Sequence, residues 1–193
     1  MSNIVYITTD TDGLVKHTKV CDATIKYFPN LLKLSYIGNV RKETYVGDYV
    51  GQVPERITEI NGIDRALLDK EGMDKYYVAD TIDSLFVGEP TIVTNNVKFH
   101  RLVLEAFMHI MGRKLPDATW IDIQELYRPI CKLQSKKGTD YKFPKLSEVL
   151  IHLKDNRIKV PGQQAQIDII EAAHKNWEVL SERAKKEDEQ SCY

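Results

Sequence analysis

The chain has 193 residues, of which 42% are hydrophobic and 28% are charged. A chain of this length and composition can bury one full core, so we expect a single domain over residues 1–181 and a charged C-terminal tail over 182–193. The 27 basic and 28 acidic side chains give a net charge of −1. This balance excludes a global positive field that would attract nucleic acid and leaves only a local groove for such binding.

The cysteines indicate a reducing compartment. Cys21, Cys131 and Cys192 are odd in number and far apart, which argues against a disulfide framework and against a cysteine-based zinc site.

The N-terminus has no signal-peptide pattern, and no apolar run approaches the roughly 18 residues of a membrane span. We therefore expect a cytoplasmic protein that does not enter a membrane.

Three strands are predicted in the first quarter of the chain. Apolar residues 4–7 indicate a buried strand, and a turn-rich loop is expected over 15–24. Residues 31–37 and 41–49 read as two further strands, because the Gly38-Asn39 turn signal separates them. These three strands are predicted to form an antiparallel meander.

The rest of the chain alternates between helical periodicity and short apolar runs. Strands are predicted over 91–93 and 118–121. Helices are predicted over 63–68, 76–86, 99–111, 123–130, 145–153 and 165–180. The pattern predicts an α/β fold with a central mixed five-stranded sheet flanked by helices.

A polar segment, Thr8-Thr9-Asp10-Thr11-Asp12-Gly13-Leu14, follows the first strand. Carboxylates at such a strand end are well placed to hold Mg²⁺. The segment resembles the Asp-x-Glu-Thr-Thr-Gly-Leu motif of DEDD-type 3′–5′ exonucleases, the DnaQ-like and RNase T-like group. With the register fixed on Gly13-Leu14, Thr8 takes the place of the first metal-binding Asp, and Asp10 takes the place of the Glu.

Two later segments extend the resemblance, which implies an RNase H-like exonuclease fold. Residues 94–100, Thr-Asn-Asn-Val-Lys-Phe-His, are similar to the family's His-Asn-x-x-Phe-Asp motif and put His100 on its Asp. Residues 163–168, Gln-Gln-Ala-Gln-Ile-Asp, resemble His-x-Ala-x-x-Asp. Gln163 then replaces the general-base His, while Asp168 keeps the final metal ligand. By helical pattern alone, Asp168 would be a surface charge.

The changed positions predict a site without catalysis. The family reaction uses two divalent ions roughly 4 Å apart, held by hard oxygen ligands. Thr8 and His100 replace carboxylates, and Gln163 cannot accept a proton near neutral pH. We therefore expect a pseudo-exonuclease with no cofactor, in which Asp10 and Asp168 would bind metal weakly or not at all.

A second register of the polar segment on the Asp-x-Glu motif predicts an active enzyme. Asp10 and Asp12 can be read as the Asp-x-Glu pair, which together with Asp168 gives three carboxylates for an active 3′–5′ exonuclease that uses Mg²⁺ or Mn²⁺. Asp12 precedes Gly13, and Asp-Gly is a common turn, so a turn role for Asp12 is the simpler interpretation.

Several polar residues could line a retained nucleic-acid groove by analogy with the family: Asn61, Asn96, Lys137 and Lys142. Asn61 before Gly62 is also a plain turn signal, and the lysines could form an ordinary solvated face. His100 could equally be a residue at a helix start.

Residues 27–32, Tyr-Phe-Pro-Asn-Leu-Leu, resemble the Pro-x-Ile-Val-Gln strand entry of viral and eukaryotic members of the exonuclease group. A site without catalysis implies a binding, scaffold or virion role, with protein partners or self-assembly expected and nucleic acid as a further partner. In a viral setting the location would be the host cytoplasm or the virion.

Overall fold

The computed structural model describes residues 3–14, 16–20, 23–136, 138, 140–160 and 165–191, with backbone alone for 16–20, 23–27 and 183–191. The chain divides into two compact units. The first unit comprises residues 1–92 and 98–119, and the second comprises residues 93–97 and 120–193. The single domain over 1–181 stays a prediction, and so does the separate tail.

Eight strands are described, and they run in chain order as follows: β1 Ile4–Thr11, β2 Lys16–Val20, β3 Ala23–Tyr27, β4 Leu31–Ile37, β5 Arg41–Val46, β6 Gly72–Met73, β7 Thr91–Thr94 and β8 Thr119–Asp122. Six of them form one mixed sheet in the order β6-β5-β4-β1-β7-β8. The antiparallel pairing of β1 with β4 and of β4 with β5 confirms the predicted meander. The sixth strand, β6, has two residues, which is too short for a periodic signal.

The predicted loop over 15–24 is wrong in part, because β2 and β3 form a separate antiparallel ribbon there. The first sequence, KHTKV, contains a single apolar residue, whereas the second, ATIKY, alternates apolar and polar residues over only five positions. A two-stranded ribbon does not need the buried-face pattern on which the prediction relied.

Seven helices are described: α1 Glu55–Asn61, α2 Arg65–Glu71, α3 Lys75–Leu85, α4 Val97–Ile110, α5 Ile123–Cys131, α6 Leu146–Asp155 and α7 Gln166–Ser191. The α/β prediction is confirmed. Helix α1 escaped prediction because it buries no residue and so has no apolar face to detect. The backbone of α7 continues through most of the residues expected to form a tail.

The polar segment, residues 8–14, begins within the central strand β1. Residues 5–9 of β1 are all buried, which shows that the strand is covered on both sides. Its pairing with β4 is regular as far as Asp10, opposite Lys33, and shifts between Asp10 and Thr11. The polar segment therefore begins inside the core of the first unit, stays buried at Thr11 just past the irregularity, and becomes exposed towards Leu14.

The second unit has its own core around Tyr127, which is fully buried together with Val149, Leu153 and Ile170. The Tyr127 hydroxyl donates to the Ala173 carbonyl at 2.9 Å, so this buried polar group is satisfied. Among the described helices, none is long and apolar enough to cross a bilayer.

Candidate functional site

Asp10 forms an ion pair inside the first unit. Its Oδ2 lies 3.0 Å from Nζ of Lys33, and the two side chains are only 15% and 16% exposed. The residues are direct partners on neighbouring antiparallel strands, so their side chains share one face of the sheet. The carboxylate that the sequence places on the family's Glu is thus already neutralised by the chain's own cation.

Sequence reasoning missed Lys33. No local signal identifies it, since it is one lysine within an apolar strand and its partner lies 23 positions earlier. Only the register of β1 against β4 shows that Lys33 lies opposite Asp10.

Asp12 is engaged in a turn network. Its Oδ1 accepts from the backbone N–H of Asn30 at 2.8 Å, and its Oδ2 accepts from the Asn30 side chain at 2.7 Å and from the Tyr49 hydroxyl at 3.2 Å. Burial, and then the Asp12 carboxylate, raise the pKa of Tyr49, so the phenol stays protonated and continues to donate. This geometry matches the turn interpretation of Asp12.

His100 lies inside α4 rather than at a cap, and it is only 7% exposed. Its Nδ1 accepts from the backbone N–H of Thr9 at 3.1 Å and lies 2.8 Å from the Thr9 hydroxyl oxygen. Because Nδ1 accepts from an N–H, it carries no proton, and the neutral imidazole has its proton on Nε2. His100 is the fourth residue of α4, near the start of the helix, and from there it satisfies a backbone donor of β1.

The residues of the first unit do not fit a two-metal centre. Thr8 is buried and uncharged, Asp10 faces Lys33, and Nδ1 of His100 is occupied by the β1 backbone. A divalent ion of the Mg²⁺ class needs several free oxygen ligands, preferably carboxylates. Within the described ranges, no three His, Cys, Asp or Glu side chains are grouped as ligands.

Asp168 belongs to the second unit, in the first turn of α7, and it is 1% exposed. The surface position that helical pattern alone predicted is wrong. A carboxylate near a helix N-terminus is favoured by the helix dipole, which lowers the cost of burying it there. Gln163, the replacement for the general base, lies outside the described residues.

The end of β7 and the turn that follows it contain two buried polar atoms. Thr94 Oγ1 and Asn95 Oδ1 have no hydrogen-bond partner among the described residues. Asn96 adopts φ 66°, and its N–H donates to Asp122 at 2.9 Å. Asn96, proposed for a groove, is thus fixed through its backbone.

Two other predicted groove residues, Asn61 and Lys142, have local partners. The Asn61 side chain accepts from the N–H of Ile63 at 3.0 Å, as in a simple turn. Lys142 Nζ lies 2.5 Å from Glu148, and together with the Lys145 backbone N–H this contact lowers the pKa of that carboxyl. Lys137 lies outside the described residues, so the groove stays a prediction.

His174 is a buried histidine from which a pH-dependent stability is expected. It is 2% exposed, and burial lowers its pKa below the ordinary 6.5 although Glu178, 3.9 Å away, opposes the shift. Protons therefore bind the unfolded chain better, and the free energy of unfolding should fall as pH drops below about 6.5. We expect His174→Gln to flatten this decline in urea titrations at pH 5 to 7.5, and an unchanged slope would contradict the assignment.

Solved structures identify the class of fold, which is that of the 3′–5′ exonuclease I nucleases. Product-bound exonuclease I superposes with a TM-score of 0.67 at 16% identity, covering 90% of this chain and 42% of that one. E. coli exonuclease I with a dA16 oligonucleotide gives 0.63 at 16% identity, covering 90% and 39%. The complex of exonuclease I with SSB-Ct gives 0.64 at 17% identity, covering 89% and 40%.

This chain therefore has an exonuclease I-like α/β fold and spans about two fifths of the length of the exonuclease I chains. No family model matches the sequence. No curated protein matches it either.

Proposed function

We propose that this chain is a pseudo-exonuclease, which keeps the nuclease fold, does not cleave nucleic acid, and acts as a binding or scaffold protein. Fold alone does not carry function, so the proposal rests on the chemistry of individual side chains. The observation that carries it is the contact between His100 and Thr9.

His100 stands, by the sequence resemblance, where the nucleases have the carboxylate of their second motif. Its Nδ1 accepts from the β1 backbone, and the ring is buried. Turning this nitrogen toward a metal would leave the Thr9 N–H without its partner, at a cost of about 1–3 kcal/mol. Mg²⁺ also gains less from imidazole than from carboxylate or water.

The state of the remaining acids supports the same proposal. Asp10 is paired with Lys33, and Asp12 is held by Asn30 and Tyr49. The alternative, an active exonuclease using Asp10, Asp12 and Asp168, is favoured by one observation, the burial of Asp168. An active site of that kind would have to release Asp10 and Asp12 from their partners first.

The partner would be either a single nucleic-acid strand or a protein. Exonuclease I structures include complexes with oligonucleotides and with SSB-Ct, and these two classes of partner are the ones proposed for this chain. With a net charge of −1, strand binding by this chain would depend on local basic residues and weaken steeply with salt. A role in a virion or in an assembly belongs to the same proposal.

The test is a cleavage assay on a 3′-labelled single-stranded oligonucleotide, in Mg²⁺ and in Mn²⁺, with Asp10→Asn and Asp168→Asn variants in parallel. We expect no product above the background shared by all samples, because loss of the general base alone costs about 10²–10⁴-fold in rate. A binding titration with the same oligonucleotide at low and high salt then separates the nucleic-acid partner from the protein partner.

Cleavage by the unmodified protein that disappears in both variants would overturn the proposal and establish the active alternative. Cleavage of equal rate in every sample would come from a contaminating nuclease and would agree with the proposal. Circular dichroism of each variant checks that the folded state is intact.

A further inference from the structure

The segment between α5 and α6 carries a surplus of positive charge. Residues 128–148 contain six basic and two acidic side chains, although the whole chain has a net charge of −1. The rest of the chain is therefore net acidic. Within this segment Lys132 and Lys136 are exposed, and no acidic side chain of the described residues forms an ion pair with either of them. Their ammonium groups can therefore reach an anion in solution.

This segment folds into a hairpin, which we call the basic hairpin, residues 132–145. Gln134 and Tyr141 pair across it in antiparallel orientation. The N–H of Gly138 donates to the Ser135 carbonyl at 3.0 Å, which closes a turn at the tip. The exposed lysines thus lie on an ordered element of the second unit.

Arg128 of α5 anchors the basic hairpin and contacts an aromatic ring. Its Nε donates to the Tyr141 carbonyl at 2.8 Å, and its guanidinium pairs with the Asp140 carboxylate. The guanidinium carbon lies 4.8 Å from the centroid of the Phe143 ring, which is 46% exposed. Because a cation is attracted to the electron-rich face of an aromatic ring, this contact helps to hold the ring in place. The hairpin therefore combines exposed lysines with an ordered, half-exposed aromatic ring.

We propose that the basic hairpin binds single-stranded nucleic acid, with its lysines at the phosphates and a base stacked on Phe143. The inference rests on the proposed function and names the nucleic-acid strand as the partner. Lysines neutralise phosphates irrespective of sequence, and unpaired bases stack on exposed aromatic rings. The faces of the bases are covered inside a duplex, so the exposed ring favours a single strand.

Another exposed ring of this chain lacks the positive surroundings. Tyr76 is 54% exposed, and the centroid of its ring lies 5.6 Å from Nζ of Lys75. The exposed acids Asp74 and Asp80 are close to it in the sequence of the same helix start, and their charge would repel phosphates. Tyr76 is therefore the matched control for the aromatic ring of the basic hairpin.

The first experiment tests the ring by fluorescence anisotropy in EDTA, where binding is read without metal-dependent cleavage. A labelled oligothymidylate and an abasic strand of equal length are titrated with the full chain, Phe143→Ala and Tyr76→Ala. We expect Phe143→Ala to bind oligothymidylate about 5–100-fold more weakly, because one base stack is lost. The abasic strand should bind the full chain and Phe143→Ala equally, and Tyr76→Ala should bind both strands as the full chain does.

The second experiment tests the lysines through the salt dependence of oligothymidylate binding. Lys132→Gln/Lys136→Gln should reduce the slope of log affinity against log salt by about 1.4, because each phosphate contact of a single strand contributes about 0.7. Lys154→Gln/Lys159→Gln is the matched control of equal charge, since both lysines are exposed in the second unit and lie outside the basic hairpin. This control should leave the slope unchanged.

The inference is wrong if the full chain does not bind oligothymidylate at about 50 mM salt, or if both hairpin variants bind it as the full chain does. Tighter binding of polyglutamate than of oligothymidylate would also overturn it and would indicate an acidic protein partner. The proposed function would survive each of these outcomes, because it is judged by the cleavage assay in Mg²⁺ and Mn²⁺. Cleavage there would overturn the proposed function and would leave a binding defect of Phe143→Ala in EDTA as support for the hairpin.

Discussion

Replacing Asp122 with alanine is expected to lower the free energy of unfolding by about 2–4 kcal/mol, because one carboxylate satisfies three backbone donors. Its Oδ1 accepts from the N–H groups of Asn96 and Gln124, both at 2.9 Å, and its Oδ2 accepts from Val97 at 2.8 Å. Val97 begins α4, and Gln124 lies in the first turn of α5. The side chain therefore supplies acceptors to donors that helix starts leave unsatisfied.

Urea denaturation of Asp122→Ala measures this loss. Asp122→Asn keeps one side-chain oxygen and should lose an intermediate amount, which separates the loss of acceptors from the loss of packing. Asp117→Ala is the matched control, since Asp117 is an exposed acid nearby in the sequence. A stability of Asp122→Ala within about 0.5 kcal/mol of that control would refute the capping role.

Replacing Gly72 with alanine is expected to destabilise the first unit by about 3 kcal/mol or more, because the space for a Cβ is filled by backbone on two sides. An added Cβ would lie 2.2 Å from the Leu68 carbonyl oxygen and 2.3 Å from Cα of Gly47. Gly72 has φ −72° and ψ 138°, which alanine adopts without strain. The whole effect would therefore come from the close approach of the chain segments around Gly47 and Gly72.

Gly13→Ala is the matched control for this prediction, because a Cβ at Gly13 would meet nothing within 4 Å. Thermal unfolding of the two variants should differ strongly, with Gly72→Ala unfolding at the lower temperature. Equal midpoints would show that the contact between Gly47 and Gly72 relaxes without cost.

Apolar patterning was sufficient for most of the architecture. Strand β1 and helix α4 contain continuous or periodic apolar residues whose burial on folding is the main stabilising term, so the elements can be found from neighbouring residues alone. Elements with a weak or short pattern are not predicted. The sequence predicts a loop for part of the ribbon of β2 and β3, and it predicts no helix at α1, which buries no residue.

The candidate site was predictable in its residue types but not in its contacts. The sequence singles out Thr8, Asp10 and His100 and predicts the loss of charge from a nuclease-like centre. It does not reveal that His100 satisfies the N–H of Thr9, 91 positions away, or that Lys33 faces Asp10.

The sequence by itself thus determined the α/β class, the meander and the chemical nature of the polar segment, because these depend on local periodicity and residue type. Only the tertiary structure decided which charges meet. The pairing of Asp10 with Lys33 depends on the β1–β4 register, and that register is set by packing between strands separated by the ribbon. A shift of one residue in that register would remove Lys33 from its position opposite Asp10.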